Sequence, residues 1–179
     1  MLKPPFSLVV VTPSRALGAM VLDALDLAGK HLDTMSLTHA RDSEELAIGV
    51  ARLSTIIASR SYVRRVFDDG RRGLERLIRA FPKARIRVGR VWEKGLGYAL
   101  IERGEVLRFV IVERGDVVID EGELLPAEPI LTFETSYDEA GDPLEELLTE
   151  DTQRFIAAWL GETLATAPGD IDMDVYEGP

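Results

Sequence analysis

The chain has 179 residues, 46% hydrophobic and 29% charged, with no cysteine, two histidines and a formal net charge of −10. This is the size and composition of a chain that folds around one core, typically about 100–200 residues. It excludes disulfides, thiol nucleophiles, cysteine-held metals and a histidine-rich metal centre, and no apolar run approaches the ~20 residues needed to cross a bilayer.

Phe6 to Val11 is a short valine-rich run and predicts a buried strand, ended by Thr12-Pro13. The run is too short for the apolar part of a signal peptide, so the expected location is cytoplasmic. Arg15 to Lys30 is apolar on almost every side, its polar residues Arg15, Asp23, Asp26 and Lys30 forming one narrow stripe. This predicts a mostly buried helix closing near Gly29. Leu32 to Arg41 fits either a loop or a short strand. Asp42 and Glu45 have capping-box spacing, and Leu46, Val50, Leu53 and Ile57 follow at helical intervals, which predicts a helix over 43–58. Val63, Val66, Phe67, Leu74, Leu77, Ile78 and Phe81 continue the helical period. Asp68-Asp69-Gly70 interrupts that run and Pro82 stops it.

From Arg85 the period changes. Ile86 and Val88 alternate with arginines, and two nearly identical turn signals, Glu102-Arg103-Gly104-Glu105 and Glu113-Arg114-Gly115-Asp116, separate β-type runs at 98–101, 106–112 and 117–119. Two-residue loops with glycine second fit tight hairpins, so a β-meander is expected. Leu107 to Val112 is nearly all apolar and predicts a central strand covered on both faces. Residues 120–129 read as a loop, Ile130 to Phe133 as a further strand, and Glu134 to Pro143 as a polar turn. Phe155, Ile156, Trp159 and Leu160 predict a last helix over about 149–160, ended by Gly161. The expected fold is α+β: an antiparallel meander of four to five strands with helices packed on one face. The expected organisation is one domain over 1–164, followed by an acidic mobile tail over 165–179.

Charge is segregated along the chain. Residues 60–94 carry 12 basic and 4 acidic side chains, whereas residues 95–179 carry 4 basic and 21 acidic ones. The arginine-rich segment fits a footprint for nucleic acid or another anion. Against that, Arg64/Asp68, Arg65/Asp69, Arg71/Glu75 and Glu75/Arg79 have i,i+4 spacing for local pairing. Asp116, Asp120, Glu121, Glu123 and Glu128 offer the oxygen ligands of a hard cation such as Mg²⁺, but without EF-hand spacing. Lys94-Gly95-Leu96-Gly97 lacks the rest of a phosphate-binding loop. Arg114-Gly115-Asp116 matches an adhesion tripeptide at a hairpin turn. His31 and His39, with Asp33 and Ser36, contain the residue types of a nucleophilic triad, but no Gly-x-Ser-x-Gly elbow is present. Trp92 and Trp159 read as core or half-buried residues.

These signals point to a non-catalytic protein-binding module, such as an adaptor, a regulator or an immunity-type inhibitor, with no cofactor. Charge polarity suits electrostatic steering towards another protein. The expected interaction surface is Arg65, Arg72, Arg76 and Arg79. The alternatives are a carboxylate-dependent, Mg²⁺-using enzyme and a nucleic-acid binder acting through residues 60–94.

Overall fold

Strand β1 (Phe6–Thr12) sends Phe6, Leu8 and Val10 to one side and Val9 and Val11 to the other, and all five are buried. A strand apolar on both faces has to be covered on both. In the computed structural model, which describes residues 2–164 and 166–178, β1 is the middle member of a nine-stranded antiparallel sheet. On one side of β1 come β4 (Ser54–Ala58), β3 (Leu46–Ala51), β11 (Asp172–Tyr176) and the edge strand β2 (His31–Ser36). On the other come β5 (Arg85–Trp92), β6 (Gly95–Glu102), β7 (Glu105–Glu113) and the edge strand β8 (Asp116–Gly122). The α+β class and the antiparallel sheet match the sequence reading, but the sheet has about twice the expected number of strands.

Helices cover both faces, not one. Helix α5 (Glu150–Leu164) packs Ile156, Trp159, Leu160 and Leu164 onto the first face, where the short α2 (Leu37–Ala40) adds Leu37 and Ala40. The second face is covered by α1 (Gly18–Ala24), α3 (Arg60–Asp68) and α4 (Arg71–Ala80), through Val21, Val63, Val66, Phe67, Leu74 and Leu77. Ser59 caps α3 by accepting a hydrogen bond from the Tyr62 N–H. Gly70, at φ +57°, breaks the helical run between α3 and α4. Gly73 then lets α4 turn back against α3, because a Cβ there would lie 2.1 Å from the Val66 carbonyl oxygen. Among the described residues no helix is long and apolar enough to cross a membrane.

The meander β5–β8 forms as the turn signals predict. Arg103 and Gly104, then Arg114 and Gly115, all have positive φ, as a two-residue hairpin turn of the I′ kind requires. Strand β7 is buried on both faces from Arg108 to Val112, but it lies next to the sheet edge and is not central.

Elsewhere the helical readings give way. Residues 43–58 form the hairpin β3–β4 in place of a helix. Ile48, Val50, Thr55, Ile56 and Ile57 are β-branched and favour extended backbone, and a run apolar on both strand faces also satisfies helical spacing. The helix expected over 15–30 is reduced to the seven residues of α1, with Leu17 and Met20 exposed. Leu32 to Arg41, left open between loop and strand, supplies most of β2 and then α2. Helix α5 runs through Gly161 to Leu164, so that glycine ends nothing. The segment read as a mobile tail contains β11, which lies between β2 and β3 with Met173 and Val175 buried. Residue 165 and the two chain ends, 1 and 179, lie outside the described residues.

Candidate functional site

The four arginines chosen from sequence lie on the outer side of the α3–α4 pair, and Arg65, Arg72, Arg76 and Arg79 are all exposed. Arg76 pairs with Asp69, at the end of α3. Neighbouring cations are drawn into long-range pairs: Arg71 with Glu121 of β8, Arg60 with Glu44, and Arg85 with Glu102. The basic and acidic blocks of the sequence therefore touch, and part of the basic charge is neutralised within the fold.

The five carboxylates read as a possible cation site do not converge. Asp120 and Glu128 serve Arg108, Glu121 turns to the opposite face to meet Arg71, and Asp116 and Glu123 are exposed. The buried centre is Arg108 itself, on the first face of β7. Its Nε donates to both Glu128 oxygens at 2.9 and 3.1 Å, and its Nη2 donates to Glu128 Oε1 at 2.6 Å. Its Nη1 donates to Asp120 Oδ1 at 2.6 Å and to the Glu121 carbonyl at 2.9 Å. Glu128 also accepts from the Tyr98 hydroxyl at 2.5 Å and from the Leu125 N–H at 2.8 Å. Burial alone lowers the proton affinity of Arg108, but the bonds to Glu128 and Asp120 outweigh it and hold the pKa above its ordinary value. Burial, then the hydrogen bond to Glu128, pushes the Tyr98 phenol well above its usual range. Arg108, Glu128 and the Tyr98 hydroxyl bind one another, so this cluster fastens the 123–131 loop to the sheet.

The remaining sequence candidates have local structural roles. His39 shares a 2.8 Å hydrogen bond with Ser36 at the exposed start of α2, while Asp33 binds the Thr34 N–H. His31 is elsewhere, edge-on to Tyr176. No triad is assembled. At Gly95 a Cβ would meet the carbonyl of Val112 on the neighbouring strand at 2.4 Å, and at Gly97 it would meet the Phe67 ring of α3, so the first glycine permits close strand pairing and the second close packing of helix on sheet. Arg114-Gly115-Asp116 is the β7–β8 turn. Trp159 is buried beside Arg87, whose Nη1 donates to the Trp159 carbonyl at 2.6 Å. Trp92 is half-buried and lies beneath Arg90, with the guanidinium 4.3 Å from the ring centroid.

One feature escapes the sequence reading. Residues 132–148, read mostly as a polar turn, form a separate two-stranded sheet of β9 (Thr132–Tyr137) and β10 (Pro143–Leu148). Register places Phe133 and Tyr137 with Leu147 on one side, and Leu144 and Leu148 on the other. Phe133 is 55% exposed, Tyr137 70%, Leu144 48% and Leu148 47%. Leu147 packs against the core at the hairpin base. The hairpin also carries Glu134, Asp138, Glu139, Asp142, Glu145 and Glu146, and no basic residue. The alternation of Phe133, Thr135 and Tyr137 around an Asp-Glu-Ala-Gly-Asp turn was the signal available in the sequence.

No family model matches the chain, and no curated protein and no solved structure matches it.

Proposed function

We propose that this protein is a non-catalytic protein-binding module, of the adaptor, regulator or inhibitor kind, and that it meets its partner through the β9–β10 hairpin. The observation that supports this reading is the exposure of large apolar side chains on both sides of a two-stranded arm. A lone hairpin is marginal in water, and each side of this one carries two large exposed apolar side chains, Phe133 and Tyr137 on one and Leu144 and Leu148 on the other. The arm carries six carboxylates and no cation over 132–148. The fitting partner is therefore a protein whose surface has an apolar centre and a basic rim, drawn in by charge and held by aromatic anchors.

The exposed arginines of α3 and α4 form the competing surface, which would take nucleic acid or an acidic protein. Two variants separate the readings. One replaces Phe133, Tyr137, Leu144 and Leu148 with serine, and the other replaces Arg65, Arg72, Arg76 and Arg79 with glutamine. Partners are captured on the purified protein from its own cells, and the dominant one is re-purified and titrated against each variant. The expected result is a basic protein whose affinity falls at least tenfold in the serine variant, weakens as salt rises, and is little changed in the glutamine variant. Affinity undiminished in a folded serine variant overturns the hairpin as the contact. Loss confined to the glutamine variant moves the surface to the arginines, and a co-purifying nucleic acid lost in that variant replaces the protein-binding reading altogether.

A further inference from the structure

Arg90 occupies a core position. It is in phase with Ile86 and Val88 on β5, faces the α3 side of the sheet and is 8% exposed. Its Nε is buried with no hydrogen-bond partner. Among the described residues no carboxylate stands within ion-pairing distance of its guanidinium. Directly across from it in register on β1 is Ser7, fully buried, whose hydroxyl also lacks a partner. Two unsatisfied polar groups thus stand side by side on one sheet face. Burial lowers the proton affinity of Arg90, with only partial relief from Asp68. Stacking on Trp92 compensates a desolvated cation only in part, because a π-face supplies no hydrogen-bond acceptor.

Arg90 lines a cleft of about 620 Å³ between α3 and the outer meander strands. Phe67, Trp92, Ile111, Val118 and Ile119 supply apolar wall, Arg64 adds a second cation, and Asp68 and Glu113 add two carboxylates. Arg64 is exposed and one helical turn before Asp68. The cleft is therefore lined by a guanidinium more than nine-tenths buried, with no hydrogen bond or ion pair to the described residues, next to apolar surface, which is how small-molecule sites are commonly built.

We infer that this cleft is a binding site for a small organic carboxylate, its carboxylate on Arg90 and its apolar body against Phe67, Ile111 and Ile119. A monoanion fits better than a phosphate. One buried and one exposed cation face two carboxylates in the lining, and these repel a multiply charged ligand. The site is separate from the β9–β10 hairpin and does not rest on the protein-binding reading.

Trp92 makes the inference measurable, because the chain has only two tryptophans. In a Trp159→Phe background, Trp92 is the sole indole, and benzoate is titrated while its emission is followed. Inorganic phosphate and a neutral analogue, benzyl alcohol, serve as comparisons. The expected result is a saturable change with benzoate that weakens at least tenfold in Arg90→Met and several-fold in Arg64→Ala, with little response to benzyl alcohol. Arg90→Lys keeps the charge without the planar fork and is expected to retain part of the binding, which guards against a variant that merely misfolds. Should the Trp159→Phe background not fold, the same titration is read in the native chain by the shift in its thermal unfolding midpoint. No saturable response to benzoate, or one undiminished in folded Arg90→Met, overturns the site. Binding of phosphate in preference to benzoate through Arg90 overturns the carboxylate assignment.

Discussion

Arg108 and Arg90 lie two strands apart on opposite faces of the same sheet, each more than nine-tenths buried. Arg108 is enclosed: a carboxylate almost as buried as itself, a second carboxylate and a backbone carbonyl take up its donors, and Tyr98 and Leu125 complete the coordination of that carboxylate. Arg90 has an aromatic ring and an open cleft. Burying a cation is costly in both places. At Arg108 the cost is offset inside the protein, and the product is a fixed loop. At Arg90 the offset is only partial, from the Trp92 ring and from Asp68 at longer range, and the guanidinium borders an open cleft in place of a closed cluster.

The contrast is broken most directly at Glu128. In Glu128→Ala, Arg108 stays buried without its main counter-charge, Tyr98 loses its acceptor and the 123–131 loop loses its anchor. The expected cost is about 3–5 kcal/mol, read as a lowered urea midpoint. Replacing the pair together, with Arg108→Met and Glu128→Leu, is expected to recover most of that loss, because no uncompensated charge remains. If Glu128→Ala leaves the midpoint within error of the parent, the enclosed cluster is not structural and the two arginines are alike.

The enclosed cluster also gives stability a smaller dependence on pH. Tyr98 holds its proton more tightly in the folded state than in the unfolded chain, because burial and Glu128 both disfavour the phenolate. Tyr62, under α3, is pushed up to about 12 by burial. For a pKa raised on folding, the full contribution is present below the unfolded value near 10. Above it the unfolded chain binds fewer protons, so stability falls as pH rises. The slope approaches about 1.4 kcal/mol per pH unit for each such tyrosine. Between pH 10 and 11.5, Tyr98→Phe is expected to flatten the decline by one tyrosine's share and Tyr62→Phe by a second. An unchanged slope in Tyr98→Phe would mean that the phenol is free to ionise in the folded protein and that the cluster is open to solvent.

Much of this was legible in residues and some was not. The meander was readable because a two-residue hairpin turn needs positive φ and glycine in its second position takes it at no steric cost, which is a local signal. The β3–β4 hairpin was misread as a helix because a strand buried on both faces has no alternation to display. Ile171 and strand β11 together carry a clean alternation, Ile171-Asp-Met173-Asp-Val175, but surrounding acid, proline and glycine have the composition of a tail. The candidate interaction residues divide in the same way. The exposed arginines and Arg90 belong to the same arginine-rich segment, and nothing in the sequence singles Arg90 out. Its isolation is visible only when β1, β5 and α3 are placed around it, since a missing partner is a fact about three dimensions.

The smallest expected effect on stability is at Arg90 itself, and it decides how the comparison is read. Arg90→Met keeps the length and apolar volume of the side chain and removes the charge. It gives up a cation–π contact worth about 0.5–2 kcal/mol, and it relieves the desolvation of a guanidinium that has no acceptor. The two terms oppose each other, so the midpoint in urea is expected to move by less than about 1 kcal/mol and in the stabilising direction. Stabilisation together with lost carboxylate binding is the pattern of a residue retained for a ligand at the expense of the fold. A loss of 3 kcal/mol or more would instead place Arg90 beside Arg108, as a cation on which the packing of α3 against the sheet depends.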